Sequence, residues 1–157
     1  MYRQPAIDRS CGSCSLCCSV YEIHSISKPE WVWCEQCEQG GGCRIYATRP
    51  RVCRVFVCLW RTGSGEAADR PDLIGSMMDM RRLNDLGRTL LVNESHGIYS
   101  HSAAVRERMA ACMKERMSIW VRRRDRRDIL YIPSSIDMTD SLAREIVASE
   151  MRVVIYQ

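Results

Sequence analysis

Cysteine is the residue type in this sequence whose number and spacing indicate chemistry. The chain contains ten cysteines, and nine of them lie within residues 11–58. The block opens with a C-x2-C-x2-C-C run at residues 11–18. Two intervening residues let the chain curl so that successive sulfur atoms converge on one centre, which is typical of zinc knuckles and of part of a ferredoxin cluster loop. The spacing therefore predicts thiolate ligands of a metal.

A disulfide framework is the alternative interpretation of so many cysteines. Such frameworks belong to secreted chains in oxidising compartments, and an odd number of clustered thiols cannot pair completely. The first residues contain no apolar segment typical of a secretion signal. We therefore expect a cytoplasmic protein with free, metal-binding thiols.

The later cysteines extend the same pattern. Cys34 and Cys37 repeat the two-residue spacing, and three glycines at residues 40–42 precede Cys43. Glycine permits positive φ and a close approach of backbone N–H groups to sulfur, and such contacts stabilise metal-bound thiolates.

The combined motifs CxxCxxCC, WCxxC, GGGCxIY, RPxxC and CRxFxCxW cover residues 11–60. Together they resemble the bacterial cysteine-cluster proteins called YkgJ-like, a family described as a zinc- or iron-chelating domain. The resemblance implies that most clustered cysteines are ligands, namely Cys11, Cys14, Cys17, Cys18, Cys43, Cys53 and Cys58. It implies at least one more ligand from Cys34 and Cys37. A related cysteine block occurs in flagellin lysine methylases. Those proteins are longer than this chain.

The number of thiols predicts more than one centre. Nine thiolates exceed one tetrahedral site, whereas two sites with four ligands each would use eight of them. The adjacent Cys17 and Cys18 are expected to point in different directions, as ligands of two centres would. Arginines among the ligands could offset thiolate charge or form a solvated surface, namely Arg44, Arg49, Arg51, Arg54 and Arg61.

Spacing alone does not distinguish zinc from iron, because sulfur-rich tetrahedral sites suit both. Three cysteines at ferredoxin-like intervals, with no histidine near them, favour an iron–sulfur cluster. The frequency of structural zinc in the cytosol favours zinc. The expected cofactor is therefore zinc or iron, with an iron–sulfur cluster as one form of the latter.

The elements that position these thiols divide the chain into two regions. Residues 1–62 are interrupted by Cys, Gly and Pro and have little periodicity, so their shape should depend on a bound metal. Residues 63–157 show the patterns of an α+β unit. The predicted fold is α+β, with a small irregular, metal-stabilised N-terminal part packed on a C-terminal part that has a short mixed or antiparallel sheet and two helices. We expect one compact domain overall.

The second region has recognisable strands and helices. Residues 73–80, 89–93, 117–121 and 129–132 are predicted strands. Ser102 should cap a helix whose apolar side carries Val105, Met109, Cys112 and Met113, which makes Cys112 a core residue rather than a ligand. A second helix contains Met138, Leu142 and Ile146, with Asp137 as its cap. Residues 151–156 form a last strand or the frayed end of that helix.

A basic turn is predicted between two of these strands. It contains five arginines: Arg122, Arg123, Arg124, Arg126 and Arg127. With Trp120 and Tyr131 nearby, such a turn could contact nucleic acid. The turn is short and the net charge is only +4, so a solvated hairpin is the preferred interpretation and nucleic acid is not the expected partner.

Three functional classes remain open from the sequence. The protein could bind metal for structure or metal handling, act as a redox or accessory iron–sulfur protein for a protein-modifying enzyme, or bind nucleic acid on a zinc scaffold. No Ser-His-Asp ordering, P-loop or GxGxxG motif is present, so whether it is an enzyme stays open. No apolar run approaches the roughly 18 residues of a membrane helix, so the expected partner is a metal ion and not a membrane. The sequence does not identify a protein partner.

Overall fold

Short elements in the first part of the chain give way to longer strands and helices in the second. The computed structural model describes residues 9–95 and 102–157. The predicted α+β class is confirmed. The chain forms two compact units, Met1–Met77 and Met78–Gln157. The sequence placed the boundary earlier, between residues 62 and 63.

The N-terminal unit consists of very short elements. They are α1 (Cys17–Val20), β1 (Cys37–Glu38), β2 (Gly42–Cys43), α2 (Arg51–Val55) and α3 (Pro71–Ile74), with 3-10 turns at His24–Ile26, Trp60–Thr62 and Ala67–Asp69. Helices of four or five residues and strands of two residues are not stable by themselves. Their conformation must come from tertiary contacts or from a ligand.

A small apolar cluster forms the core of this unit. Its buried members are Leu16, Val20, Trp31, Cys58 and Met77. Leu16 and Val20 lie one helical turn apart, so that α1 buries this side and carries Cys17 and Cys18 beside it. The core therefore fixes the helix that bears the middle of the CxxCxxCC run.

The start of the first predicted strand is wrong. Leu73 and Ile74 belong to α3, and β3 begins only at Ser76. Pro71 occupies the first turn of α3, where its missing N–H costs no hydrogen bond. Gly75 ends the helix in the left-handed conformation, with φ 68°.

A five-stranded mixed sheet organises the second part of the chain. Its strands are β3 (Ser76–Leu83), β4 (Gly87–Glu94), β5 (Ser118–Arg123), β6 (Ile129–Pro133) and β7 (Arg152–Tyr156), which neighbour one another in chain order. Strands β4 and β5 are parallel, β5 and β6 antiparallel, and β6 and β7 parallel. Residues 152–156 thus form a strand and not a frayed helix end.

Each parallel pair is connected by a helix, as parallel pairing requires. Helix α4 (Ala103–Lys114) links β4 to β5, and its predicted cap is confirmed because Ser102 Oγ accepts a hydrogen bond from Val105 N at 3.3 Å. Cys112 is buried on this helix, as predicted.

Helix α5 (Asp140–Ala148) links β6 to β7, and the predicted Asp137 cap is wrong. Thr139 is the cap, because its Oγ1 accepts from Leu142 N at 3.1 Å. Met138 therefore precedes the helix, and its side chain is exposed. Asp and Thr are both good caps, and the local sequence did not separate them.

Replacement of Leu142 by alanine is expected to destabilise the C-terminal unit by about 2–5 kcal/mol. Leu142 is only 2% exposed and packs with Leu130 and Ile132, so the truncation leaves a cavity. Urea unfolding followed by circular dichroism measures the change. Val147→Ala on the same helix is the control, because Val147 is 76% exposed and should change the free energy of unfolding by at most about 0.5 kcal/mol. Equal effects of the two variants would contradict this packing.

None of the helices in the described parts of the chain is both long enough and apolar enough to cross a membrane.

Candidate metal centre

All ten cysteines are free thiols. The nine cysteines of the predicted metal-binding block lie in the N-terminal unit, and Cys112 lies in the C-terminal unit. No disulfide joins any of these ten described residues. The block therefore consists of thiols that are chemically able to bind a metal.

Backbone N–H groups point at two of the sulfur atoms. The sulfur of Cys14 accepts hydrogen bonds from the N–H groups of Leu16 and Asp72. The sulfur of Cys58 accepts from Arg61 and Trp60. Such donors stabilise negative charge on sulfur, as they do around metal-bound thiolates. All except Asp72 lie two or three positions after the cysteine that they contact. The predicted N–H···S contacts thus exist, although their donors are not the glycines at residues 40–42.

Two glycines with positive φ shape the backbone near these sulfurs. Gly12 has φ 53° in the turn where Cys14 N donates to Cys11 O at 2.9 Å. Gly42 has φ 97°, and a Cβ added there would lie 3.2 Å from Gly12 O. A larger residue at Gly42 would therefore meet both backbone strain and a close contact.

We group the thiols into two sets by the influences and hydrogen bonds between them. The first contains Cys11, Cys14 and Cys58 and is called here the three-thiol set. Cys11 and Cys14 are joined by their turn. Burial raises the pKa of Cys58, and the charge of Cys11 adds to this shift. Burial also raises the pKa of Cys14, to about 11.

A carboxylate that sequence reasoning missed lies beside the three-thiol set. The Cys14 thiol donates a hydrogen bond to Asp72. Arg70 holds this carboxylate through Nε–Oδ1 at 2.7 Å and Nη2–Oδ2 at 2.9 Å. Arg70 Nη2 also donates to Ser13 Oγ at 3.0 Å. Asp72 thus adds an oxygen donor next to Cys14, and nothing in its spacing from the cysteine motifs could have indicated this.

The second set is called here the six-thiol set and contains Cys17, Cys18, Cys34, Cys37, Cys43 and Cys53. Backbone contacts bring four of its members together. Cys34 N donates to Cys18 O at 3.0 Å, and Cys37 N donates to Cys34 O at 2.9 Å. Cys37 and Cys43 are paired across β1 and β2. The second CxxC pair is therefore positioned against the first run by main-chain hydrogen bonds.

Side-chain hydrogen bonds link the centre of the six-thiol set. Ser15 donates to Cys37, Cys37 to Cys18, and Cys18 to Cys17. The hydrogen bond to Cys17, followed by burial, raises the pKa of Cys18. Burial and then the charge of Cys18 raise the pKa of Cys37 to about 11. The expectation that Cys17 and Cys18 point in different directions is wrong, because α1 places both thiols in mutual contact.

Cys53 joins this set from α2. Burial raises its pKa first, followed by the charges of Cys18, Cys34 and Cys43. Arg49 acts in the opposite direction, and its guanidinium also lies 3.6 Å from the centroid of the Tyr46 ring.

The sequence left two interpretations of the arginines near the cysteines, charge compensation and a solvated surface, and each applies to some of them. Arg49 and Arg61 are half-buried and act on the Cys53 and Cys58 thiols, which favours charge compensation. The other three are exposed, as a solvated surface would have them, namely Arg44, Arg51 and Arg54.

Lys28 is a second residue that sequence reasoning missed. Its side chain is buried, and Nζ donates to Ser19 O at 3.0 Å and to Tyr21 O. Burial lowers its pKa, and the charge of Cys34 is the largest influence in the opposite direction. A lysine in the sequence Ser-Lys-Pro gave no signal of burial, because its acceptors are backbone carbonyls.

Neighbouring thiols contact one another without forming a closed tetrahedron among the described residues. Within residues 9–95 and 102–157, no three Cys, His, Asp or Glu side chains converge closely enough to hold one ion. Closure around an ion would therefore require these side chains to move closer together. Because burial raises the pKa of several thiols, these side chains hold their protons at neutral pH. Metal binding would release those protons, so metal affinity should rise with pH.

The predicted basic turn has a structural role in part. Arg122 Nη1 donates to Asn93 Oδ1 at 2.9 Å, and Arg123 Nε lies 2.8 Å from Glu94 Oε2. The other arginines are exposed, namely Arg124, Arg126 and Arg127. Two of the five arginines therefore support the sheet, and the exposed three agree with a solvated charged turn.

The donor types fit zinc and iron. Thiol sulfur dominates both sets, and sulfur-rich donor sets suit tetrahedral zinc as well as iron–sulfur clusters. His24 of the same unit is exposed and lies 3.4 Å from Glu22 instead. Comparison of the chain with protein-family models, with curated proteins and with solved structures finds no match.

Proposed function

We propose that this protein binds zinc or iron through the clustered cysteines of its N-terminal unit. The observation that carries the proposal is the set of N–H groups that point at the sulfurs of Cys14 and Cys58. Such donors stabilise thiolate more than thiol, and they are characteristic of metal-bound cysteine. The resemblance of residues 11–60 to the YkgJ-like proteins supports the same function.

The charge balance around the thiols also favours metal. Several thiolates in one small unit would repel one another, and a bound cation removes that repulsion. Lys28, Arg49 and Arg61 supply further positive charge close to individual thiols. The proposal requires a reducing compartment such as the cytoplasm, where thiols stay free.

Sulfur donors suit both zinc and iron, so the proposal has a zinc form and an iron–sulfur form. Zinc held by four thiolates would stabilise the fold, whereas an iron–sulfur cluster would in addition allow electron transfer. The iron form would make the protein a redox or accessory protein, for example to a protein-modifying enzyme.

Metal analysis of protein purified without oxygen tests the proposal. Stoichiometric zinc in a colourless sample supports the zinc form. Iron and sulfide with broad visible charge-transfer absorption support the iron–sulfur form. Protein purified in the same way after Cys112→Ser is the control and should carry the same metal. Full-length protein with neither metal, and with its clustered cysteines joined in disulfides, would disprove the proposal.

A further inference from the structure

Lys28 is a buried lysine beside the six-thiol set. It is one of only two lysines in a chain that has 23 lysine and arginine residues. Its relative exposure is 5%, although lysine is almost never buried without a partner. Nζ donates to the carbonyl oxygens of Ser19, at 3.0 Å, and of Tyr21. Both carbonyls lie at the end of α1, which carries Cys17 and Cys18.

The backbone fixes the position of this ammonium group. Ile23 N donates to Lys28 O at 2.9 Å, and Lys28 N donates to Ile23 O at 3.2 Å. Ser27 and Trp31 adopt positive φ, of 51° and 60°, on either side of the lysine. Such strained residues persist only where the surrounding structure determines the conformation. The side chain therefore enters the unit along a defined path.

Four thiols of the six-thiol set act on Lys28. Burial lowers the pKa of Lys28, and the charges that Cys34, Cys18, Cys17 and Cys53 carry as thiolates act in the opposite direction. The hydrogen bond to Cys17 and burial raise the pKa of Cys18, and the charge of Lys28 acts against that rise. Once ionised, these thiols and Lys28 would stabilise each other, as opposite charges do in a poorly solvated region.

We propose that Lys28 is the fixed counter-charge of the six-thiol set, which lets these cysteines bind a metal as several thiolates in a buried place. This inference rests on the metal-binding function proposed above. Four thiolates around a divalent cation leave a net charge of about −2, and burial of uncompensated charge is costly. The ammonium group offsets one unit of that charge and is compact enough to enter between main-chain carbonyls.

A purely structural role would need only the two hydrogen bonds to Ser19 and Tyr21. Lys28→Gln keeps a hydrogen-bond donor and removes the charge, whereas Lys28→Arg keeps the charge. Lys114→Gln is the matched control, because Lys114 is the other lysine and lies exposed on α4. Comparison of the three variants separates charge from hydrogen bonding.

Competition of the full chain with a chromogenic chelator for zinc, and cobalt titration followed by thiolate charge-transfer absorption, test the inference. We expect Lys28→Gln to weaken metal binding by about 10–100-fold at neutral pH, the usual size of an outer-sphere effect, and to move the binding midpoint to higher pH. Lys28→Arg should recover most of the affinity, and Lys114→Gln should behave as the wild type.

Three results would overturn the inference: wild-type affinity in Lys28→Gln, equal loss in Lys28→Gln and Lys28→Arg, or misfolding of both. Misfolding of Lys28→Gln alone, with normal binding by Lys28→Arg, would support a need for the charge. Wild-type protein that binds neither metal would refute the proposed function. That result would remove the inference as well, whereas metal binding by the wild type with unchanged affinity in Lys28→Gln would refute the inference alone.

Discussion

Removal of the proposed metal with a chelator is expected to unfold the N-terminal unit and to leave the C-terminal unit folded. The elements of the N-terminal unit are helices of at most five residues and strands of two residues. Its apolar core has five buried members. Thiolate–zinc bonds in small domains contribute on the order of 10 kcal/mol to folding, which exceeds what such a core supplies. We therefore expect the N-terminal unit to unfold completely and not only in part.

Limited trypsin digestion under anaerobic, reducing conditions measures this effect. Arg44, Arg51 and Arg54 are exposed in the N-terminal unit, and their cleavage should accelerate strongly after chelation. A resistant fragment that begins close to Met78 should persist, because the five-stranded sheet contains none of the clustered thiols. This fragment is the internal control for general damage by the chelator. Unchanged cleavage of the N-terminal unit after complete metal removal would contradict the prediction.

Substitution of Cys18 by serine is expected to abolish metal binding at the six-thiol set. Cys18 hydrogen-bonds to Cys17 and Cys37, so its loss removes the sulfur that links α1 to the second CxxC pair. Serine is a poor ligand for zinc and iron, because its hydroxyl stays protonated at neutral pH. Metal analysis of the purified variant, relative to wild type, gives the number of ions lost.

Two further variants complete this experiment. Cys14→Ser should also lower bound metal, and it should act on the three-thiol set. If the two sets are separate centres, each single variant retains part of the metal and the losses add in the double variant. Cys112→Ser is the matched control, since this thiol is buried on α4 of the other unit. Equal metal content in Cys18→Ser, Cys14→Ser and Cys112→Ser would refute the ligand assignment.

Features that depend on near neighbours were predictable from the sequence. The CxxC spacings gave tight turns, with Cys14 N bonded to Cys11 O and Cys37 N bonded to Cys34 O, both at 2.9 Å. The Ser102 cap and the buried side of α4 followed from local hydrogen bonding and helical periodicity. Two mainly apolar segments on either side of a charged turn indicated β5 and β6. In each of these cases the groups that interact are only a few residues apart.

The predictions of secondary structure were wrong where the local sequence is compatible with two conformations. Leu73 and Ile74 are apolar enough for a strand, yet Pro71 and Gly75 enclose them in a helix. Asp137 and Thr139 are both suitable caps, and the packing of Leu142 in the core agrees with Thr139. The local preferences of these residues were identified correctly. Which conformation they adopt depended on which side of the segment is buried.

By itself, the sequence determined that thiols dominate the first part of the chain and that their turns favour ligand geometry. Only the tertiary structure decided how those thiols group, because the packing that brings Cys53 and Cys58 to their partners has no local signature in the sequence. It also decided that Lys28 is buried and that Asp72 meets Cys14. Asp72 and Cys14 are far apart in the chain, whereas the carbonyl acceptors of Lys28 are seven and nine residues away from it. Main-chain carbonyls and N–H groups, which every sequence contains, supply much of the hydrogen bonding in both cases.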